Sequence, residues 1–165
     1  MREILFRGQT RRYGEKFKLG GEPMESNWVY GGIFPNNFGG DFAIIYQQKP
    51  NIEKFTVYSD TVGQYTGLTD KNGVKIFEGD ILKCNDNPKD LVKAVFGEFV
   101  VIDLETERKI DTVIGWHYEV IPTDELSKTE PFCFAMPLTA HYVEHCSMEV
   151  IGNIHDNPEL LKEVE

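Results

Sequence analysis

Residues 67–82 read GLTDKNGVKIFEGDIL, and the role given to their three carboxylates, Asp70, Glu78 and Asp80, decides what kind of chain this is. Asp70, Lys71, Asn72 and Gly73 fit a type I turn followed by a glycine at positive φ, a common route to a short β-hairpin with a bulge. Asp70 then accepts hydrogen bonds from amides of its own turn, and Gly73 stands where a Cβ would resist the left-handed conformation. Val74, Ile76 and Phe77 form the return strand, Glu78, Gly79 and Asp80 make a second bend, and Ile81 and Leu82 enter the next strand. General acid–base work needs two carboxylates with pKa values pushed apart. Turn positions open to water give no reason for such a shift, so these acids are expected to shape hairpins rather than to do chemistry.

Working outward, short apolar runs with alternation recur, broken by Gly, Pro, Asn and Asp at intervals that suit strands. EILFR (3–7) and EKFKLG (15–20) read as a first hairpin; NWVYGGIF (27–34), FAIIY (42–46) and EKFTVYS (53–59) read as further strands. DLVKAVFGEFVVIDLE (90–105) and IDTVIGWHYEVI (110–121) crowd Val, Ile, Phe, Trp and Tyr as sheets do, with Gly97 read as a turn or bulge. PTDELSKTEPFCFAMPLTAH (122–141) reads as an irregular connection with a short strand near Phe132–Phe134. SMEVIGNI (147–154) has strand character, and HDNPELLKEVE (155–165) starts a short helix. Its cap is either Asp156 with Glu159 three residues later or Asn157 with Pro158 at the first helical position. Leu160, Leu161 and Val164 would form its apolar face. The expected fold is mainly β, short antiparallel strands making a barrel-like or sandwich core with a short C-terminal helix. The expected organisation is a single domain over residues 1–165, either undivided or built from β sub-structures over 1–60 and 61–165.

Three co-linear blocks carry a resemblance. The opening REILFRGQ, the segment VGQYTGLTDKNGVKIFEGDIL and the closing EVIGNIHDNPELL are similar to those of the YopX family of phage and prophage proteins. The resemblance places Asp70, Asn72, Gly73, Glu78, Gly79, Asp80, Gly152, Asn153, Asn157 and Pro158 in the shared motif. It implies a YopX-like, mainly β fold and a phage or prophage origin. It implies no reaction, because the family offers no catalytic residues to carry over, and the stretch from Cys84 to Ser147 lies outside the matching blocks.

The formal charge of −10, from 27 acids against 17 bases, opposes global attraction to nucleic acid. One cluster, Arg7, Arg11, Arg12, Lys16 and Lys18, is interleaved with Phe6, Tyr13 and Phe17. Alternating basic and aromatic residues can hold phosphates and stack bases, although a half-buried hairpin has the same pattern and is the favoured reading. YGGIFPNNFGGD (30–41) lacks a P-loop lysine. It sets Phe34 and Phe38 beside glycines, which suits either a binding rim or aromatics folded onto the core. The candidate binding surface is thus Phe6, Arg7, Arg11, Arg12, Tyr13, Lys16, Phe34 and Phe38.

Cys84, Cys133 and Cys146 have neither the number nor the spacing of a disulfide framework, which fits a reducing compartment. His141 and His145 with Cys133 and Cys146 are the best metal candidates, but AHYVEHCSMEV (140–150) reads as strand, where residues four apart lie about 13 Å from each other. No metal or cofactor is therefore expected. Cys146 with His117 could pair as nucleophile and base only if the fold brought them together. No GxSxG, P-loop, GxGxxG or HExxH pattern occurs, so no catalytic residue is assigned. Without an apolar run long enough for a membrane helix or a signal peptide, the expected location is the cytoplasm of a bacterial host. The expected role is a non-enzymatic accessory module that binds a host or phage protein, with homo-oligomerisation as one way to protect strand edges. The alternative is a nucleic-acid-associated role, or an acidic decoy for a DNA-binding protein.

Overall fold

The computed structural model describes residues 3–10, 27–34, 41–49, 51–103, 105–106 and 108–161. The expected strand over 15–20, Val164, and Arg11, Arg12, Tyr13, Lys16 and Phe38 lie outside the described residues.

In chain order the strands are β1 (Phe6–Gln9), β2 (Trp28–Phe34), β3 (Phe42–Lys49), β4 (Asn51–Tyr58), β5 (Gly63–Thr69), β6 (Lys75–Phe77), β7 (Asp80–Lys83), β8 (Leu91–Ile102), β9 (Lys109–Ile121), β10 (Met136–Pro137) and β11 (Glu149–Asn153). Two short helices, α1 (Glu125–Thr129) and α2 (Ala140–His145), fall on either side of β10. The strands form two antiparallel sheets, ordered β4-β3-β2-β1-β5-β6 and β10-β9-β8-β7-β11. The mainly β expectation holds, and both sheets are open rather than closed into a barrel. The terminal helix is a single 3₁₀ turn, Pro158–Leu161.

The chain divides into two compact units, Met1–Tyr65 and Thr66–Glu165. In the first, alternation along β2, β3 and β4 sends Val29, Ala43, Ile45 and Val57 to one face, where they are buried with Phe6, Ile33, Phe55 and Val62 packed against them. The residues between them emerge on the opposite face, as period-2 geometry demands. Thr61 ties the unit's edge by accepting from the Gln9 amide at 2.9 Å and donating to the Tyr58 carbonyl at 2.7 Å.

In the second unit the long β8–β9 hairpin, paired from Leu91↔Ile121 to Ile102↔Lys109 with a register shift between Val101 and Ile102, presents Val92, Ala94 and Tyr118 to a core completed by Ile76, Leu82, Cys84, Leu138, Val143 and Met148. A smaller cluster gathers Ile81, Leu91 and Ile121 with Ile154 and Leu160. Gly97 is neither turn nor bulge: it lies within β8 opposite Gly115, so the two apolar runs form one uninterrupted strand. The segment read as irregular holds α1, begun by a capping box in which Asp124 accepts from the Ser127 amide (2.9 Å) and Ser127 Oγ accepts from the Asp124 amide (3.0 Å). The strand expected near Phe132–Phe134 is displaced to β10. Residues 140–145, expected as strand, are helical, with Thr139 capping by accepting from the Tyr142 amide. In so short a helix the cap and the burial of Val143 outweigh the β-branched composition.

Candidate functional site

The quoted turn behaves as its sequence demands, with one difference. Gly73 has φ +82° and Gly79 φ +78°, both in the region that L side chains rarely adopt. Asp70 Oδ1 accepts from the amides of Asn72 (2.8 Å) and Val74 (2.9 Å). Its second oxygen reaches across the fold and accepts from the Val150 amide of β11 at 2.9 Å. Asp70 and Asp80 are therefore buried, not open to water as the turn reading supposed. Asp80 Oδ2 accepts from the Phe77 amide at 2.7 Å, which closes the bend around Glu78 and Gly79.

The closing block meets the same place. β11 pairs with β7, Asn153 opposite Asp80; the Ile154 amide donates to Gly79 O and the Lys71 amide to Met148 O, each at 3.0 Å. Asn153 Oδ1 accepts from the amides of His155 and Asp156. A Cβ on Gly152 would stand 2.3 Å from Asn157 Oδ1, so only glycine fits there, and Asn157 leads into the Pro158 turn. The motif residues thus form one backbone-satisfying knot. The side-chain oxygens of Asp70, Asp80, Asn153 and Asn157 accept from main-chain amides, the accounting a buried turn requires.

The ionisable candidates fare differently. His141 and His145 share a face of α2, with rings stacked 5.7 Å apart, because the segment is helical. Among the described residues, however, no group of three or more His, Cys, Asp and Glu side chains could hold a metal. Cys84, Cys133 and Cys146 all belong to or pack on the larger core; burial pushes the Cys84 and Cys133 thiols up to about 12 and raises that of Cys146. Such thiols stay protonated and are poor nucleophiles. His117 is buried on the opposite strand face from this core, stacked on Phe99 at 4.7 Å. Lys71 and Lys83 flank Glu149 at 3.2 and 3.1 Å and hold its carboxyl below the ordinary range, while the hydrogen bond from Lys71 does the same for Asp86.

Two surfaces remain. The face of β8–β9 that is fully buried at Val92 and Ala94 continues outward as Phe96 (51% exposed), Val100 (44%) and Ile114 (73%). Trp116 stands edge-on to Phe96 at 5.1 Å. From Gly97↔Gly115 outward the hairpin is a two-stranded ribbon among the described residues, and Glu98 sits exposed within the stripe.

The second surface is the outer face of the first unit's sheet. Register puts Trp28, Tyr30 and Phe34 of β2, Phe42 and Tyr46 of β3 and Tyr58 of β4 on one side. Tyr30 (43%), Phe34 (54%) and Tyr58 (37%) are exposed. Phe34 meets Tyr46 edge-on at 5.8 Å and Phe42 lies 5.5 Å from Tyr58. Lys54 Nζ stands 5.7 Å from the Tyr46 ring. Of the sequence-predicted binding residues, Phe34 and Arg7 belong to this face. Arg7 is buried with its guanidinium 4.7 Å over Trp28, and Phe6 leans on the unit's core. The other aromatics of this face were missed because only strand register shows that they converge.

Charge is divided unequally. Residues 1–65 hold eight Lys and Arg against seven Asp and Glu, leaving nine against twenty in residues 66–165. The entire acidic excess belongs to the second unit.

The model of the YopX protein family matches residues 34–162. A crystal structure of protein EF1440 from Enterococcus faecalis is similar with a TM-score of 0.46 and 21% identity, covering 98% of this chain and 100% of that one. No curated protein matches.

Proposed function

This chain belongs to the YopX family, and we propose that it is a non-enzymatic phage or prophage accessory module that binds a protein. The observation that carries this reading is the apolar stripe of the β8–β9 ribbon. A two-stranded ribbon is marginal in water on its own, yet this one displays Phe96, Val100 and Ile114 to solvent next to Trp116. Aromatic and large aliphatic residues gathered on one exposed strand face are what anchor protein interfaces. Glu98 lies within the stripe opposite Ile114 and is exposed. Two copies stacked stripe to stripe would bury both Glu98 carboxylates in one apolar contact, so the partner is a different protein whose apolar pocket offers a base to Glu98.

The test is capture from bacterial host lysate on immobilised protein, with nuclease present, followed by titration of the purified partner identified by mass spectrometry. Ile114→Asp and Phe96→Asp should each weaken that titration at least about tenfold, as central interface positions do. Unchanged affinity in both variants refutes the ribbon as the docking element. Sedimentation velocity on the protein alone separates the competing occupant, a second copy, which would appear as a concentration-dependent dimer lost in Ile114→Asp.

A further inference from the structure

We propose that the edge of β9 beyond β10 takes an extended segment of the protein partner, alternating aliphatic and basic residues, as an added antiparallel strand. The inference rests on the β8–β9 ribbon being the docking element. β10 already uses this edge: Met136 and Pro137 pair antiparallel with Tyr118 and His117, and the Leu138 amide donates to Trp116 O at 3.0 Å. There the chain turns away, because Thr139 caps α2. Trp116 O therefore points away from β8, and main-chain groups of every second strand residue share a side, so those of Ile114 and Thr112 point the same way. Among the described residues no strand lies beside them. The Thr112 amide instead donates to the neighbouring carboxylate, Asp111 Oδ1, at 2.7 Å, a local substitute for a missing strand. Residues 110–115 hold neither Lys nor Pro, the residues that commonly blunt an edge.

Main chain, side chains and charge together select the occupant. An edge of N–H and C=O groups is matched by an extended backbone, and specificity comes from the alternate side chains. On one face of β9 the edge presents Ile114, 73% exposed, next to the Phe96–Trp116 pair. The opposite face, by alternation, carries the exposed Asp111. Residues 96–114 hold five acids against two bases. An added strand with aliphatic residues on the Ile114 face and Lys or Arg on the Asp111 face widens the apolar stripe by one strand and offsets the negative charge. As a carbonyl of that strand takes over the Thr112 amide, the Asp111 carboxylate is released to a base of the newcomer. A strand carrying acids on that face meets like charge instead.

The probe is a labelled eight-residue peptide of alternating Val and Lys, blocked at both ends and titrated with the full chain by fluorescence anisotropy. In the antiparallel register with Val on the Ile114 face, the Val amides turn toward β9 and the Lys amides face solvent. N-methylation of the Val amides should weaken binding at least about tenfold, since each lost main-chain bond is worth roughly 2- to 10-fold. N-methylation of the Lys amides, at the same charge, should change it less than about twofold. Hydrogen exchange of the Ile114 amide, read by NMR, should slow with the unmodified peptide and not with the Val-methylated one. Thr112→Pro is the protein-side variant. Its amide faces away from β8, so proline is accepted at this edge, and Phe96, Ile114 and Trp116 stay in place. Peptide affinity should fall roughly 2- to 10-fold with the circular dichroism spectrum unchanged. Absence of binding at about 1 mM peptide, equal binding of the two methylated peptides, or unchanged exchange at Ile114 would each overturn the proposal. The ribbon reading fails separately, when Ile114→Asp and Phe96→Asp leave the affinity of the captured partner unchanged.

Discussion

Replacing Asp70 tests the central structural claim, that the hairpin acid is a three-way backbone anchor and not a reactive group. Its carboxylate accepts from the amides of Asn72, Val74 and Val150. In Asp70→Ala the first two donors, in exposed residues, can turn toward water, costing roughly 0.5–1 kcal/mol each; the Val150 amide, in β11, loses a charge-assisted bond and costs roughly 1.5–3 kcal/mol. The sum is about 2.5–5 kcal/mol, or a fall of roughly 5–20 °C in thermal midpoint for a chain of this size. Asp70→Asn is the discriminating variant because it is isosteric. An amide has one oxygen: aimed at the turn it leaves its NH₂ against the Val150 N–H, and flipped it deprives both turn amides. Either orientation costs about 2 kcal/mol. Urea unfolding followed by circular dichroism reads both variants. If Asp70→Asn unfolds within about 0.5 kcal/mol of the parent chain, the link from the turn to β11 is not an anchor and the reasoning fails.

Two further outcomes follow from the charged and thiol groups. Lys71 and Lys83 hold Glu149 below its ordinary value of 4.5, so the stabilisation from this carboxylate is present above that pH and lost as pH falls through its lowered value. Glu149→Gln should therefore flatten the decline of the thermal midpoint as pH falls below 4.5, and a decline identical to that of the parent chain would refute the assignment. The same cluster raises Lys71 above 10.5 through Asp86 and Glu149, which adds stability that is lost only as pH rises through that raised value. With Cys84 and Cys133 pushed up to about 12 by burial, labelling of the native protein by an aromatic disulfide at pH 8 should be slow at both positions and complete at all three cysteines once urea unfolds the chain; rapid reaction of three thiols in the native state would show that the burial argument is wrong.

The strands that alternate cleanly were legible because burial follows period 2: Val29, Ala43, Ile45 and Val57 inside, Tyr30, Lys54 and Tyr58 outside. The turn at Asp70 was legible for the same local reason, since its amides lie two and four residues away. Its third bond, to Val150, was not, because the partner is eighty positions distant and only the pairing of β7 with β11 brings it near. Helix α2 was misread as strand because AHYVEH has only six residues, too few for a 3.6-residue period to show, and its stability comes from the Thr139 cap and from packing Val143. Gly97 suggested a break because its tertiary reason, a facing glycine at position 115, is invisible along the chain. The aromatic outer face of the first unit's sheet was half seen, through Phe34 beside its glycines, but nothing local states that Tyr46 stands across from Gly32.

These differences have a common consequence for where activity can lie. Four polar side chains of the shared motif are bound to backbone: Asp70 and Asp80 to turn amides, Asn153 to the amides of His155 and Asp156, and Asn157 to the amide of Asn153. A group whose lone pairs are already filled by main-chain donors has nothing left to offer a substrate without unfolding its own turn. The motif can specify the fold of the second unit while saying nothing of what the protein binds. On the proposed reading, binding falls to surfaces whose side chains the fold leaves over, such as the apolar stripe of β8–β9. That stripe contains no motif residue. Substitutions there should change partners at little cost in stability, whereas substitutions at Asp70 or Gly152 should do the reverse.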